Sequence, residues 1–207
     1  MNNTESSKRV LIVDDHAIVR ATLRVEVQKF FSQACVIEEA ADAETTLLKI
    51  REFRPDIVFL DHTLKSCDGI SILDSTPSEI RPAFIVVTQN EDPHVINMYM
   101  KGPAAALVSK ASQLEDIKLA LKDVSQGLKF VSANLQQLTA QHKGDLMTKR
   151  EIEVVRLISG GRSNKEVALA LGCSDQTVKS HKSNIMMKLG IFTSVEVGVW
   201  ASKNGLT

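Results

Sequence analysis

Five short apolar runs, each followed by a segment with helical spacing, constrain the fold of this chain more than any other feature. The runs are four to six residues long and lie in "RVLIVDD", "CVIEEA", "DIVFLD", "AFIVVTQ" and "AALVSK". Strands of this length that alternate with helices are typical of a parallel sheet with helices on both faces. The pattern predicts an α/β fold over residues 8–125, a doubly wound five-stranded parallel sheet. In its first helix, the apolar residues Ile18, Leu23, Val27 and Phe30 are expected to face the core.

Carboxylates stand directly after two of these runs. Asp14 and Asp15 follow the first strand, and Asp61 ends the third. In a flavodoxin-like strand order of 2-1-3-4-5 the first and third strands are neighbours, so the three acids converge at the edge where ligands bind in such sheets. Two like charges ~4 Å apart cost about 4 kcal/mol at an effective dielectric near 20. The cluster therefore indicates a cation site, and oxygen ligands favour Mg²⁺.

Two further strand ends supply groups that suit a phosphate. Thr88 ends the fourth strand with a hydroxyl, and Lys110 ends the fifth with an ammonium. Together with the acids they are typical of a phosphoryl-transfer site, with Asp61 as the candidate nucleophile because it stands alone at the centre. Any one of these residues alone is more often a loop cap or a solvated strand end, so the joint arrangement carries the interpretation.

The second part of the chain differs in charge and pattern. Residues 1–125 hold 14 Lys and Arg against 19 Asp and Glu, whereas residues 126–207 hold 11 against 6, which suggests two modules with different partners. Residues 126–145 are polar and are predicted to form a linker with a short helix around Leu135. Residues 146–207 are predicted to form a small all-α domain of four helices, because capping signals recur and glycines fall where helices should stop. The capping pairs are Thr148 with Glu151, Ser163 with Glu166, Ser174 with Thr177 and Thr193 with Glu196.

Two of these helices, joined by Gly172, form the second informative pattern. In the later one, over residues 175–189, Val178, Ile185 and Leu189 form an apolar side, opposite small polar and cationic residues with no acid among them. Such a face fits the major groove of DNA, although a basic solvated face is the common alternative for a single helix. The candidate DNA-contacting residues on this helix are Gln176, Thr177, Lys179, Ser180, Lys182 and Ser183.

Residues 8–125 resemble the receiver domain of bacterial two-component response regulators, through "LIVDD", "VFLD", "DG", "VVT" and "VSK" in that order. The resemblance implies that Asp61 accepts a phosphoryl group from a phosphohistidine of a sensor histidine kinase, and that Thr88 and Lys110 then contact it. It also implies that Mg²⁺ is held by Asp14, Asp15, Asp61 and the backbone carbonyl of Thr63.

Residues 146–207 resemble the LuxR-type helix-turn-helix, so the whole chain resembles a NarL/FixJ-type response regulator. This implies a homodimer that regulates transcription by binding double-stranded promoter DNA, with Lys179 and Ser180 at DNA contacts and the last helix pairing two copies. It also implies that Asn164 and Lys165, at the start of the preceding helix, contact DNA phosphates. Four features depart from the family pattern: Lys65 stands where Pro is usual, Leu107 where an aromatic is usual, Gln89 where a small residue is usual, and "KGPAA" (101–105) contains a Pro where "AGA" is common. They predict weaker coupling between phosphate and output, or a different route from one to the other.

Alternative functions remain open on the residues. The chain could be an atypical receiver whose acids are relics and whose activity depends on dimerisation alone. An aspartyl-phosphate phosphatase is disfavoured, because the sequence Asp61-His62-Thr63 lacks the second acid that such enzymes need two residues on, so no enzyme is expected. His16 as a metal ligand and Cys67 as an oxidation sensor are weaker hypotheses than plain loop residues, and His181 is expected to pack at a core edge.

The cysteines and the lengths of the apolar runs indicate the cellular compartment in which the protein is expected. Three cysteines that are far apart, Cys35, Cys67 and Cys173, do not form a disulfide framework. The sequence begins with a polar segment and has no apolar run near ~18 residues. These features predict a cytoplasmic protein without a membrane segment.

Overall fold

The computed structural model describes residues 7–32, 35–64, 67–112, 114–142 and 146–206. These form two compact units, the first within Met1–Glu91 and Tyr99–Gln137, the second within Asp92–Met98 and Leu138–Thr207. The predicted limits at 8–125, 126–145 and 146–207 stay a prediction, and Lys65 lies outside the described residues.

The first unit is built on a parallel sheet, as predicted. Its strands are β1 (Lys8–Val13), β2 (Cys35–Ala40), β3 (Ile57–Asp61), β4 (Thr63–Leu64), β5 (Cys67–Asp68), β6 (Ala83–Thr88), β7 (Ala106–Ser109) and β8 (Phe130–Val131). The sheet has the order β2-β1-β3-β6-β7-β8, while β4 and β5 form a separate antiparallel pair. The helices that follow these strands along the chain are α1 (Ala17–Phe30), α2 (Ala43–Phe53), α3 (Gly69–Ser75), α4 (Pro93–Lys101), α5 (Leu114–Ser125) and α6 (Ala133–Gln141), and both α4 and α6 also contribute residues to the second unit.

The order of the five longer strands is the predicted 2-1-3-4-5, but the sheet has a sixth strand. Strand β8 lies in the segment interpreted as a linker and pairs with β7, Ala106 opposite Phe130 and Leu107 opposite Val131. Two residues are too few to show strand periodicity in a sequence. The pairing covers the edge of β7, which would otherwise present unpaired backbone groups.

The buried residues of the first unit account for the apolar runs. They also show that one expectation, the burial of Ile18, is wrong. All five residues of β3 are buried, which an unbroken apolar strand achieves when helices cover both faces of the sheet. On α1, Leu23 and Val27 are buried and Phe30 packs against the core, but Ile18 is 78% exposed. At about 100° per residue, Ile18 lies about 140° around the helix from Leu23, which puts it outside the buried stripe.

The second unit contains the helices α7 (Lys149–Ser159), α8 (Asn164–Leu171), α9 (Asp175–Leu189) and α10 (Ser194–Lys203), and the start of α4 groups with it. Thr148, Ser163 and Thr193 form full capping boxes, and Ser174 caps α9 by accepting the N–H of Thr177. Gly172 and Gly190 end α8 and α9 in the left-handed conformation, which costs glycine no steric strain. The four predicted helices are therefore confirmed within residues 146–206.

A buried ion pair joins two of these helices. Lys188 Nζ on α9 donates to Glu151 Oε2 on α7 at 2.7 Å and to the carbonyl of Leu146 at 3.2 Å. Burial acts to raise the pKa of Glu151, but the hydrogen bonds from Lys188 and Thr148 outweigh burial and hold this pKa below its usual value.

Within the described ranges, no single helix has the length and apolar composition needed to cross a membrane. Taken together, α9 and α10 satisfy those two criteria only as a pair bent by 62°.

Candidate functional site

Four side chains with metal-ligating atoms meet beyond the carboxyl ends of β1 and β3. One ligand atom from each of Asp14, Asp15, His16 and Asp61 lies within 4.8 Å of the others. Val13 pairs with Leu60 in parallel register, which brings the residues that follow them to the same edge. Asp14 is 1% and Asp61 4% exposed, so water screens their charges poorly.

Lys110 places a positive charge against two of the three acids, Asp14 and Asp61. Its Nζ donates to Asp14 Oδ2 at 2.8 Å and to Asp61 Oδ2 at 2.7 Å. Its backbone N–H donates to the carbonyl of Thr88 at 2.6 Å, so β6 fixes the base of the side chain. The lysine therefore bridges two acids that come from different strands.

The pKa values record this competition between burial and charge. Burial raises the pKa of Asp61 above its usual value, and the charge of Asp14 adds to this, against the lowering effect of Lys110. Burial acts to lower the pKa of Lys110, but its bonds to Asp14 and Asp61 outweigh burial and raise it. The three carboxylates of the cluster are therefore not fully neutralised by the single charge of Lys110.

The oxygen atoms of this cluster fit a divalent cation. Asp15 Oδ1 is buried and accepts no well-formed hydrogen bond from the described residues. His16 Nδ1 lies 2.6 Å from it, and the His16 side chain is 65% exposed. A buried carboxylate oxygen beside two more carboxylates is the donor set that Mg²⁺ prefers.

The other predicted site residues of this unit lie on the flanking strand ends. Thr88 is 2% exposed at the end of β6, the strand that pairs Val87 with Asp61, and its Oγ1 accepts the N–H of Asn90 at 2.9 Å. The N–H of Thr63, the first residue of β4, donates to Asp61 Oδ1 at 3.3 Å, which holds the backbone of Thr63 beside the acid. Their roles toward a phosphoryl group stay predictions.

The predicted faces of α9 are observed in the second unit. Val178 and Ile185 are fully buried, whereas the side predicted to contact DNA is open. Its exposed residues are Gln176, Thr177, Lys179, Ser180 and Ser183, with Lys182 half-buried at the edge. Lys182 Nζ donates to Asn164 Oδ1 at 3.2 Å, which ties α9 to the start of α8, where Lys165 is exposed.

The expectation that no acid accompanies this face needs a correction. Lys179 Nζ lies 2.8 Å from Asp175 Oδ2, one helical turn earlier. Asp175 lies in the first turn of α9, where the helix dipole favours an acid whether or not it pairs with a neighbouring cation. The i, i+4 spacing of the two residues was the available signal.

Sequence patterns also missed a buried pair beside Asp61. His62 Nδ1 lies 2.7 Å from the hydroxyl oxygen of Tyr99, although the two residues are 37 positions apart. His62 is 0% and Tyr99 2% exposed. The only local signal was a histidine that directly follows a buried strand.

Comparisons with known proteins agree with this geometry. The family model "Response regulator receiver domain" matches residues 10–122, and "Bacterial regulatory proteins, luxR family" matches residues 145–201. The chain is 30% identical to the Fimbriae Z protein of Salmonella typhimurium strain LT2 over 206 residues, covering 95% of this chain and 97% of that protein. It is 30% identical to the transcriptional regulatory protein LiaR of Bacillus subtilis strain 168 over 210 residues, with 96% and 98% covered.

A solved structure shares the fold. The chain is similar to RcsB of Salmonella enterica serovar Typhimurium, solved bound to promoter P1flhDC with phosphomimetic BeF3-, at a TM-score of 0.68 and 23% identity. The similarity covers 95% of this chain and 98% of that one.

Proposed function

We propose that this chain, which belongs to the NarL/FixJ-type response regulators with a receiver domain and a LuxR-type helix-turn-helix domain, is switched by phosphorylation of Asp61 and then binds promoter DNA through α9. The observation that carries the proposal is the meeting of Asp14, Asp15 and Asp61 within 4.8 Å, with Lys110 bonded to two of them. A structural core has no use for buried acids in this arrangement, whereas phosphoryl transfer to a carboxylate requires them.

The proposed reaction is a transfer from a phosphohistidine of a sensor histidine kinase. A carboxylate oxygen of Asp61 attacks phosphorus, the O–P bond forms, and the P–N bond breaks with its electron pair going to the departing imidazole, which takes up a proton. Asp14, Asp15, Asp61 and the carbonyl of Thr63 would hold Mg²⁺, whose charge offsets that of the phosphoryl oxygens.

Lys110 and Thr88 act on the phosphorylated form. Lys110 donates to a phosphoryl oxygen while it stays near Asp14, and the Thr88 hydroxyl donates a second bond from the end of β6. The added charge of about −1.5 to −2 then biases the neighbouring elements between two arrangements. The stoichiometric transfer makes the receiver a switch rather than an enzyme.

Phosphorylation controls DNA binding through dimerisation of two copies. The exposed residues of α9 enter the major groove, where its first turns meet base edges, and Lys165, Lys182 and Asn164 contact phosphates. Two modules then read half-sites about one helical turn apart, roughly 34–36 Å. Because promoter DNA lies in the bacterial cytoplasm, the protein acts there.

The test of the switch is covalent phosphate. The protein is incubated with a small phosphodonor and Mg²⁺, and intact mass reports one added phosphoryl group on the wild type and none on Asp61→Asn. The exposed Asp74→Asn, the same change on α3, is the matched control and should be phosphorylated normally. A wild type that takes up no phosphate would favour the alternative, a regulator controlled by dimerisation alone.

The test of the output is salt-dependent binding. Wild type with and without phosphate is titrated onto random DNA and onto DNA enriched from a random pool. Phosphorylation should raise affinity for the enriched DNA, and both affinities should fall steeply with salt. Equal affinity for the two pools at all salt concentrations would contradict sequence-specific binding.

A further inference from the structure

His62 and Tyr99 form a hydrogen-bonded pair in the buried interior of the first unit. The His62 Nδ1 and the Tyr99 hydroxyl are 2.7 Å apart, and the two rings meet edge to face with centroids 5.6 Å apart. Both side chains are almost fully excluded from solvent. A buried hydrogen bond of this kind fixes the relative position of its partners, because breaking it leaves two polar groups without water.

One member of this pair, His62, is the chain neighbour of the proposed phosphoacceptor, Asp61. His62 follows Asp61 in the chain, and its carbonyl accepts the N–H of Gly69 at 2.7 Å. A Cβ on Gly69 would come within 2.8 Å of the Tyr99 hydroxyl and 3.0 Å of the Asp61 carbonyl. Only glycine therefore lets the phenol lie against the backbone of Asp61 and His62.

The other end of the pair is helix α4. Tyr99 lies in its last turns, and α4 supplies residues to both compact units, Pro93–Met98 to the second and Tyr99–Lys101 to the first. Packed interiors shift between discrete arrangements rather than deform smoothly. A displacement of the Asp61–His62 backbone is therefore passed to α4 through the phenol.

We propose that His62 and Tyr99 are positioning residues that transmit the phosphorylation state of Asp61 to helix α4. The inference rests on the proposed function. When Asp61 binds a phosphoryl group, its backbone and that of His62 shift, and the Tyr99 hydroxyl changes or loses its bond to Nδ1. The end of α4 repacks as a result.

The sequence contains one tyrosine, so a tyrosine label reports this pair alone. The full chain is prepared with fluorotyrosine, and its fluorine NMR spectrum is recorded with Mg²⁺, before and after beryllium fluoride is added as a phosphate mimic. The single resonance should shift in the wild type and stay unchanged in Asp61→Asn. His62→Leu, which removes the Nδ1 partner, should change the starting shift and abolish most of the response.

Two variants connect this signal to output. Tyr99→Phe keeps the ring and removes the hydroxyl, so it should take up phosphate like the wild type. Its phosphorylation-dependent gain in affinity for the enriched DNA should fall about fivefold, the size of one net hydrogen bond. His62→Asn, which keeps a polar atom near the Nδ1 position, should restore part of the gain lost in His62→Leu. Ile96→Val on the same buried helix controls for loosened packing and should keep the full gain.

The possible outcomes distinguish failure of this inference from failure of the proposed function. If phosphate never attaches to Asp61, the proposed function fails and the inference falls with it. If phosphate attaches and DNA binding responds, yet the fluorotyrosine resonance does not move and Tyr99→Phe responds fully, only the inference is overturned. Should a variant unfold, the wild-type resonance still decides the question.

Discussion

Replacing Asp61 by Asn is expected to make the first unit more stable than the wild type in the absence of Mg²⁺. When Mg²⁺ is present, the variant is expected to be less stable than the wild type. The Asp61 carboxylate lies within 4.8 Å of ligand atoms on Asp14 and Asp15, so each repulsion costs about 3.5 kcal/mol at an effective dielectric near 20. The attraction to Lys110 Nζ at 2.7 Å returns about 6 kcal/mol on the same scale. The two repulsions and the burial of Asp61 together exceed this attraction.

The net effect in EDTA should be a gain on the order of 1 kcal/mol for Asp61→Asn, or about 4 °C in the melting temperature of the first unit. With Mg²⁺ at a hundred times its dissociation constant, the wild type should gain about 2.7 kcal/mol. Asp61→Asn loses one ligand, and a tenfold weaker site would gain only about 1.4 kcal/mol, so the order reverses. Calorimetry in EDTA and in Mg²⁺ measures both differences.

The pH dependence has a definite sign. Because the pKa of Asp61 is raised in the folded protein, the fold binds the proton more tightly than the unfolded chain. In EDTA the wild type should gain stability as the pH falls through the folded pKa, levelling off below the unfolded value of about 3.9. Asp61→Asn lacks this contribution, and the exposed Asp74→Asn should follow the wild type. A wild type more stable than Asp61→Asn in EDTA at neutral pH would refute the charge argument.

Further results are expected for three substitutions and for one pH dependence. Lys188→Met should destabilise the second unit by about 2 kcal/mol, because it leaves Glu151 buried and unpaired; equal unfolding free energies would contradict this. Since the pKa of Glu151 is lowered, its contribution is present above the unfolded pKa of about 4.3 and is lost as the pH falls through the lower folded pKa, which urea titrations at several pH values would detect. Lys182→Gln should weaken binding to all DNA sequences alike and reduce the salt slope by about 1; a changed sequence preference would argue for a base contact instead. Gly172→Ala should cost about 1 kcal/mol in thermal unfolding through its φ of +62° alone, since a Cβ there meets nothing within 4 Å.

Local pattern was enough to predict most of the fold. Helix α2, for example, depends on apolar spacing within Ala43–Phe53 and on the Asp42 cap, and both signals act within a few residues. The carboxylate cluster was predictable as well, since strand order alone decides which strand ends are neighbours. The family resemblance then supplied roles that spacing could not.

Features that depend on distant partners were not predictable. Strand β8 exists because β7 leaves an open edge, which two residues of sequence cannot reveal. The pairing of His62 with Tyr99 depends on the position of α4 over the sheet and on the missing side chain of Gly69. Neither residue stands out by periodicity, so only the packed structure relates them.

Lys110 has enough hydrogen-bond donors to contact the acids in the unphosphorylated site and, on the proposed function, the phosphoryl group as well. An ammonium carries three N–H donors, and within the described residues two of them are directed at Asp14 and Asp61. On the proposed function, the third would donate to a phosphoryl oxygen without release of either acid, so phosphorylation would add a bond instead of exchanging one. The lysine backbone is held by Thr88, and the N–H of the preceding Ser109 donates to Ser132 Oγ, just beyond β8, at 3.2 Å. Since these strands hold Lys110 in place, we expect the proposed response to phosphorylation on the acid side of the site, in Asp61 and the adjacent His62–Tyr99 pair.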